Sequence, residues 1–298
     1  MAIGHRPLSF LKDMNNPLRI GFVDYRPDVG HASNFLRRIR NRRETEGCDV
    51  IGVTTMEAKI GREWAETNAL PYFENAEEFR GKVDGIMIPA ATNPEHHWEL
   101  FNYCADLGVP IFVDKPFAPD AETGAKIFAL AKAKQVPIFS TSSLRFSDEI
   151  LELQESTPLM VQAWGGWSEK FDEFIIHPVE AAMSLLGPDI LAVRRDSAGS
   201  RHHIELIYAG GRRGDIYFWP GAQPYEVTAC GESTWKHRSI ASPIFERLLD
   251  RVFATFRSRQ VPVTPRETLA VLKTIDACRI SETGIETPVT WSEKELSL

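Results

Sequence analysis

The chain has 298 residues, long for a single hydrophobic core, so its length favours two domains. Hydrophobic residues make up 43% and charged residues 25%, the composition of a globular protein. A net charge of −7 excludes a general binder of nucleic acid or of an anionic membrane, because an acidic surface attracts neither, and no apolar run approaches the roughly 20 residues of a membrane span.

The opening MAIGHRPLSFLKDMNN has no continuous apolar region followed by a small-residue cleavage site, so residues 1–16 are read as a tail docked through Leu8, Phe10 and Leu11. Leu18–Val23 is an apolar strand followed by a helix beginning near Gly30 that carries Phe35, Leu36 and Ile39. Asp49–Val53 and Gly85–Pro89 are further strands, each followed by a helix: Ala58–Asn68 after the first, and after the second a helix with Asn93 as N-cap and Pro94 at its first position. Asp120 caps another helix, and Val136–Ser140 is another strand. Strands alternating with helices define a parallel, doubly wound sheet, so residues 17–141 form a Rossmann-like domain.

Within it, GVPIFVDKPF (Gly108–Phe117) organises the chain. Val109–Val113 is a buried parallel strand. Asp114 and Lys115 follow where it runs out, and ligands of such sheets bind beyond the carboxyl ends of the strands. The first turn departs from a dinucleotide fingerprint. It reads Asp24-Tyr25-Arg26-Pro27-Asp28-Val29-Gly30, with only the last glycine present and two carboxylates facing the phosphates. The acid that binds a ribose at the end of the second strand is also missing, and Thr54 and Thr55 stand there, hydroxyls that could meet a ribose or a 2′-phosphate.

From Ser142 the alternation stops. Leu159–Trp164, Ile190–Arg195, His203–Ala209, Asp215–Trp219 and Tyr225–Ala229 are strands, and Gly210–Gly214 is a hairpin connection, so residues 142–298 are expected to form an α+β domain with an open antiparallel sheet. Two late helices follow, Pro243–Arg259 and one that starts at Thr264 with a Glu267 capping box and ends near Gly284. Pro178 suits the first position of a helix closed by Gly187, which puts His177 at its start, where the helix dipole favours a neutral imidazole able to accept a proton. Glu180 is expected to be a capping acid at the third position. Trp164, Trp167, Arg145 and Trp219 are candidate cleft walls, with core packing the simpler reading. The pairs His96-His97 and His202-His203 point their side chains different ways and no zinc or iron spacing is present, so no metal site is expected. Cys48, Cys104, Cys230 and Cys278 are scattered, as reduced core residues of a cytoplasmic protein are.

These segments together resemble the Gfo/Idh/MocA family of NAD(P)-dependent sugar and polyol oxidoreductases over nearly the whole chain after the tail. Asp114-Lys115-Pro116 resembles its (E/D)-K-P motif, Thr92-Asn93-Pro94 with His97 its strand-four turn, and Glu173, His177 and Glu180 its spaced acid, histidine and acid. The run from Thr264-Pro265-Arg266-Glu267 to Pro288-Val289 is similar to its closing helix. The resemblance implies a hydride-transferring enzyme using NAD or NADP on a sugar, polyol or related hydroxy compound. In it Lys115 binds the substrate hydroxyl, His177 takes the proton, and Glu173 orients substrate or imidazole. It implies cofactor contacts from Asp24, Tyr25, Arg26, Gly30, Thr54, Thr55, Pro89, Ala90, Thr92, Asn93, His97, Asp114 and Lys115, and homo-oligomers formed through the second sheet. The departures are the lost glycines, glutamate for aspartate at 173, and Trp167-Ser168-Glu169-Lys170-Phe171 where a glycine-rich segment is usual. They favour, as the alternative, a relative that keeps the fold and binds a ligand or partner without redox turnover.

Overall fold

A computed structural model describes residues 17–155 and 157–298, so the tail assigned to residues 1–16 lies outside the described residues. The first sheet has five strands in the order β2-β1-β3-β4-β5, all parallel: β1 (Leu18–Asp24), β2 (Cys48–Thr55), β3 (Gly85–Ile88), β4 (Ile111–Val113) and β5 (Ile138–Phe139). The helices between them are α1 (Ala32–Asn41), α2 (Ala58–Thr67), α3 (His97–Cys104) and α4 (Ala121–Lys134). Strand order reverses at β1, which sends β2 to one side and β3 to the other and opens a crevice above the strand ends. As expected, the Asp120 side chain caps α4, accepting from the Thr123 amide at 2.7 Å. Asn93 caps nothing, because its side-chain amide donates instead to Glu95 at 3.1 Å.

The second sheet has seven strands in the order β11-β10-β6-β9-β8-β7-β12: β6 (Met160–Gly166), β7 (Ile190–Ala198), β8 (Arg201–Tyr208), β9 (Arg213–Phe218), β10 (Ala222–Cys230), β11 (Trp235–Ser239) and β12 (Glu286–Pro288). Along β8 every second side chain is buried, the period of a sheet wet on one face. Its buried face packs on α5 (Asp148–Gln154) and α6 (Ile176–Leu186). The sheet is mixed where an antiparallel one was expected, since β6 and β9 run parallel. The strands β11 and β12 were not anticipated. Short edge strands whose pairing is decided by tertiary contacts carry little local pattern.

Two long helices late in the chain, α7 (Ile244–Ser258) and α8 (Pro265–Ile280), reach back to the first sheet, and α8 also sends Ala270, Val271 and Ile275 into the core of the second. Leu248, Leu249, Val252, Phe253 and Phe256 of α7 close one face of the first sheet against Phe112 and Phe139. Gly85 on β3 is a notch for this helix, because a Cβ there would run into the Phe256 ring. On the opposite face Leu269 and Leu272 of α8 join the core built by α3 and α4. The capping box of Thr264 and Glu267 is present, and α8 ends at Ile280 rather than near Gly284. No helix among the described residues is long and apolar enough to cross a membrane.

Candidate active site

Lys115 emerges where β4 ends. Asp114, 2% exposed, accepts the Lys115 amide on Oδ1 at 2.8 Å and the His31 ring Nδ1 on Oδ2 at 2.6 Å. Both of its oxygens therefore have protein partners. The Lys115 ammonium is 7% exposed, donates to the backbone oxygen of Glu173 at 3.5 Å and lies 5.6 Å above the Phe174 ring. Burial holds its pKa below the ordinary lysine value, with Asp114 and then Glu173 working the other way.

His177 reaches the same place from the second half of the chain. A single turn, Phe171–Phe174, runs through Ile175 into α6, so His177 is the second residue of the helix and Pro178 the third, two residues deeper than the sequence suggests. Its Nδ1 is paired with the Ser142 hydroxyl at 2.7 Å, which leaves Nε2 as the ring nitrogen free for a ligand. The imidazole is held well below its ordinary pKa, first by burial and then by the nearby Lys115 and His31 side chains. Neutrality was expected from the helix dipole; burial and neighbouring charge account for it here.

Glu180 is not a capping acid. Buried inside the molecule, it accepts the Ser142 amide at 2.7 Å and the Thr141 hydroxyl, and Arg145 lies 3.6 Å away. Glu180 thus fixes the turn that carries Ser142, and Ser142 fixes the imidazole. The Glu173 carboxylate is turned away from both reactive groups, accepting the Lys170 ammonium at 2.8 Å, so only its backbone oxygen serves Lys115.

Lys115 and His177 line one cavity of about 340 Å³. Its remaining polar wall is His31, Thr92, Asp114, Ser143, Glu173 and Tyr225, and its apolar wall includes Phe174, Trp167 and, from α7, Ile244, Phe245 and Leu248. Of the candidate wall residues only Trp167 is there. Trp164 and Trp219 are exposed on the outer sheet face, stacked on Tyr217 and Arg201 respectively, and Arg145 is buried between Glu180 and Glu267.

The expected cofactor contacts divide. Gly30 has φ +75°, a left-handed turn that favours glycine, and α1 begins two residues later with no capping side chain and no acid in its first turn. The amides of Ala32, Ser33 and Asn34 meet no acceptor among the described residues. Arg26 pairs with Asp28 at 2.6 Å, and Tyr25 stacks on His96 with ring centres 4.0 Å apart. Asp24 does not face a phosphate. It is fully buried, neither oxygen takes a well-formed hydrogen bond, and burial pushes its pKa up to about 8. Thr54 is fully buried, and the Thr55 hydroxyl donates to the Glu57 carbonyl at 3.1 Å, so neither offers a hydroxyl to a ribose.

At the end of β3, Pro89 and Ala90 are buried, and the Ala90 carbonyl is bound by His97 Nε2 at 3.0 Å. The other nitrogen of His97 is 3.1 Å from the Phe117 carbonyl, which makes this ring a brace inside the core rather than a cofactor ligand. Thr92 lines the cavity, but Asn93 is engaged with Thr92 and Glu95. Among the described residues no group of three or more His, Cys, Asp or Glu side chains could hold a metal ion.

Sequence reasoning missed His31, Ser142 and Tyr225. His31, next to Gly30 at the head of α1, could have been singled out. Ser142 and Tyr225 carry no local signal.

The model of the Gfo/Idh/MocA oxidoreductase family with an NAD-binding Rossmann fold matches residues 29–142, beginning at the last two residues of the divergent turn. No curated protein matches the chain by sequence. Similar solved structures include a myo-inositol dehydrogenase from Lactobacillus casei in complex with NAD(H) and myo-inositol, 15% identical, covering 93% of this chain and 98% of that one with a TM-score of 0.77. Another is GenD2 from gentamicin A biosynthesis in complex with NAD, 15% identical, covering 93% and 98% with a TM-score of 0.73. A third is the UDP-N-acetylglucosamine 3-dehydrogenase GnnA from Acidithiobacillus ferrooxidans, 12% identical, covering 89% and 96% with a TM-score of 0.71. The family match thus covers residues 29–142, and over the rest of the chain the likeness to these solved dehydrogenases is one of fold.

Proposed function

We propose that the chain is an NAD(P)-dependent oxidoreductase that moves a hydride between a hydroxyl-bearing carbon of a sugar, polyol or related hydroxy compound and a nicotinamide. The observation that carries this reading is that Lys115 and His177, from opposite halves of the chain, line one cavity. The Lactobacillus casei relative, solved with NAD(H) and myo-inositol, supports it.

The residues present suit the cofactor at two points. The uncapped start of α1, with three amides that meet no acceptor among the described residues, is suited to an anionic pyrophosphate, with Arg26 in the preceding turn. Thr92, Asp114 and Lys115 would meet the nicotinamide end, and residues 17–141 would hold the cofactor while residues 142–298 bind substrate and form oligomer contacts. When bound, the nicotinamide supplies the hydride acceptor.

The protein's own groups do the rest. The Lys115 ammonium sits where it stabilises negative charge appearing on the substrate oxygen. His177 stays uncharged near neutral pH and takes the hydroxyl proton on Nε2, with Ser142 holding the ring in place.

Calorimetric titration with NAD, NADH, NADP and NADPH tests the reading and decides between the two cofactors. No heat and no thermal shift with any of the four refutes it and leaves the non-redox, ligand-binding alternative. With binding present, Lys115→Met and His177→Ala should each abolish turnover, and His177→Ala should leave cofactor affinity nearly unchanged.

A further inference from the structure

Between Gly166 and Trp164, β6 pairs with Ala222 and Glu226 of β10, so residues 223–225 of β10 stand opposite the single residue Gly165. A bulge of this kind re-aims a side chain out of the ladder. The displaced side chain is Tyr225, whose ring lies directly over Gly165, where a Cβ would run into it. Bulge and notch together deliver the ring to the wall of the reactive cavity, with its centre 5.6 Å from that of His177.

The phenol is free to act on a ligand. Among the described residues only the Tyr225 and Ser143 hydroxyls in this cavity find no hydrogen-bond partner, and of the two only Tyr225 sets its ring, tilted by 58°, beside the imidazole. The other polar groups of the wall are spent. Thr92 is turned to Asn93, His31 to Asp114 and the Glu173 carboxylate to Lys170. Burial also keeps the phenol protonated far above neutral pH, so it serves as a neutral donor.

We propose that Tyr225 is a specificity-determining residue that donates its hydroxyl hydrogen to a second oxygen on the carbon next to the reacting one, so that the cleft selects vicinal diols and α-hydroxy ketones over isolated alcohols. The inference rests on the Lys115–His177 cavity being the substrate site. Neighbouring rings can be bridged by only a short span of ligand, which places the two recognised oxygens on adjacent carbons. A site built to bind an oxygen also rejects the analogue lacking it, because the polar group is then left unpaired.

The test uses the full-length protein and three probes of one ring size: trans-cyclohexane-1,2-diol and cyclohexanol with NAD as hydride acceptor, and 2-hydroxycyclohexanone with NADH as hydride donor. Binding is read by saturation-transfer NMR and turnover by nicotinamide absorbance. The wild type should bind the diol and the hydroxy ketone more tightly than cyclohexanol. Tyr225→Phe should remove up to about tenfold of that preference, the value of one hydrogen bond, mainly through KM and with cyclohexanol unaffected. An undiminished preference in the variant, or no preference in the wild type, overturns the proposal. The wild-type comparison of the diol with cyclohexanol, both with NAD, decides the matter even if the variant does not fold. Diol preference that is lost in Tyr225→Phe, without turnover on any dinucleotide, upholds the assignment of Tyr225 and sinks the redox reading instead.

Discussion

Asp24 offers the sharpest test of the physics at the carboxyl end of β1. Its side chain is fully buried, neither oxygen takes a well-formed hydrogen bond, and the charges of Asp114 and Asp28 add to the burial that lifts its pKa from 3.8 to about 8. The folded chain therefore holds a proton that the unfolded chain has released across the whole interval between those values. Stability then falls as pH rises from about 4 to about 8 and levels off above, because deprotonation is cheap only in the unfolded state. Asp24→Asn keeps the shape and removes the titration, so the variant should gain on the wild type by about 1.4 kcal/mol per pH unit, or about 3 kcal/mol between pH 5 and pH 7.5. Urea unfolding of both proteins at half-unit pH steps, followed by tryptophan fluorescence, measures the gap. Equal m-values are required for the comparison. A gap that stays flat across this range would show that Asp24 is ionised in the folded protein and that the reasoning from burial is wrong.

Three further outcomes follow from the cleft. Glu180→Ala leaves the Ser142 amide, the Thr141 hydroxyl and the buried Arg145 short of a partner, so it should lose about 3–5 kcal/mol of stability, read as a shift in denaturation midpoint; a loss below 1 kcal/mol would mean that Glu180 braces nothing. In the oxidation direction, kcat/KM against pH should show an acid limb well below pH 6.5, set by His177, and an alkaline limb below pH 10.5, set by Lys115; an acid midpoint at 6.5 or higher would remove His177 as the base. Gly165→Ala should push the Tyr225 ring from its seat and reproduce the loss of diol preference expected of Tyr225→Phe, while the same change at Gly108, where nothing lies within reach of a Cβ, should leave substrate preference untouched despite its positive φ.

The strands of the first sheet were legible because each is a short apolar run bounded by glycine, proline or a capping residue. Lys115 was legible because the end of such a strand is where a ligand site belongs. His177 was found with its helix, but its charge state was assigned to the wrong cause. Burial and the approach of Lys115 and His31 are tertiary facts that no local window holds. Glu180 and Asn93 show the same limit. Both sit where capping residues sit, and in both cases the side chain bonds elsewhere, to Ser142 and Thr141 in one and to Glu95 in the other. Thr54, Thr55 and His97 look like polar groups at strand and helix ends, yet the layers above them leave no opening to a ligand. The bulge that aims Tyr225 was invisible for a related reason, since it exists only in the register between two strands far apart in the chain.

The return of α7 and α8 to the first sheet has a practical outcome. A fragment ending at residue 141 would carry every strand of that sheet but leave the side of Phe112 and Phe139 stripped of Leu248, Leu249, Val252 and Phe256. Such a piece would be a sticky, aggregating product rather than a free-standing nucleotide-binding module. The polypeptide is laced shut by its own far end, and any attempt to express its halves separately should fail in the first half.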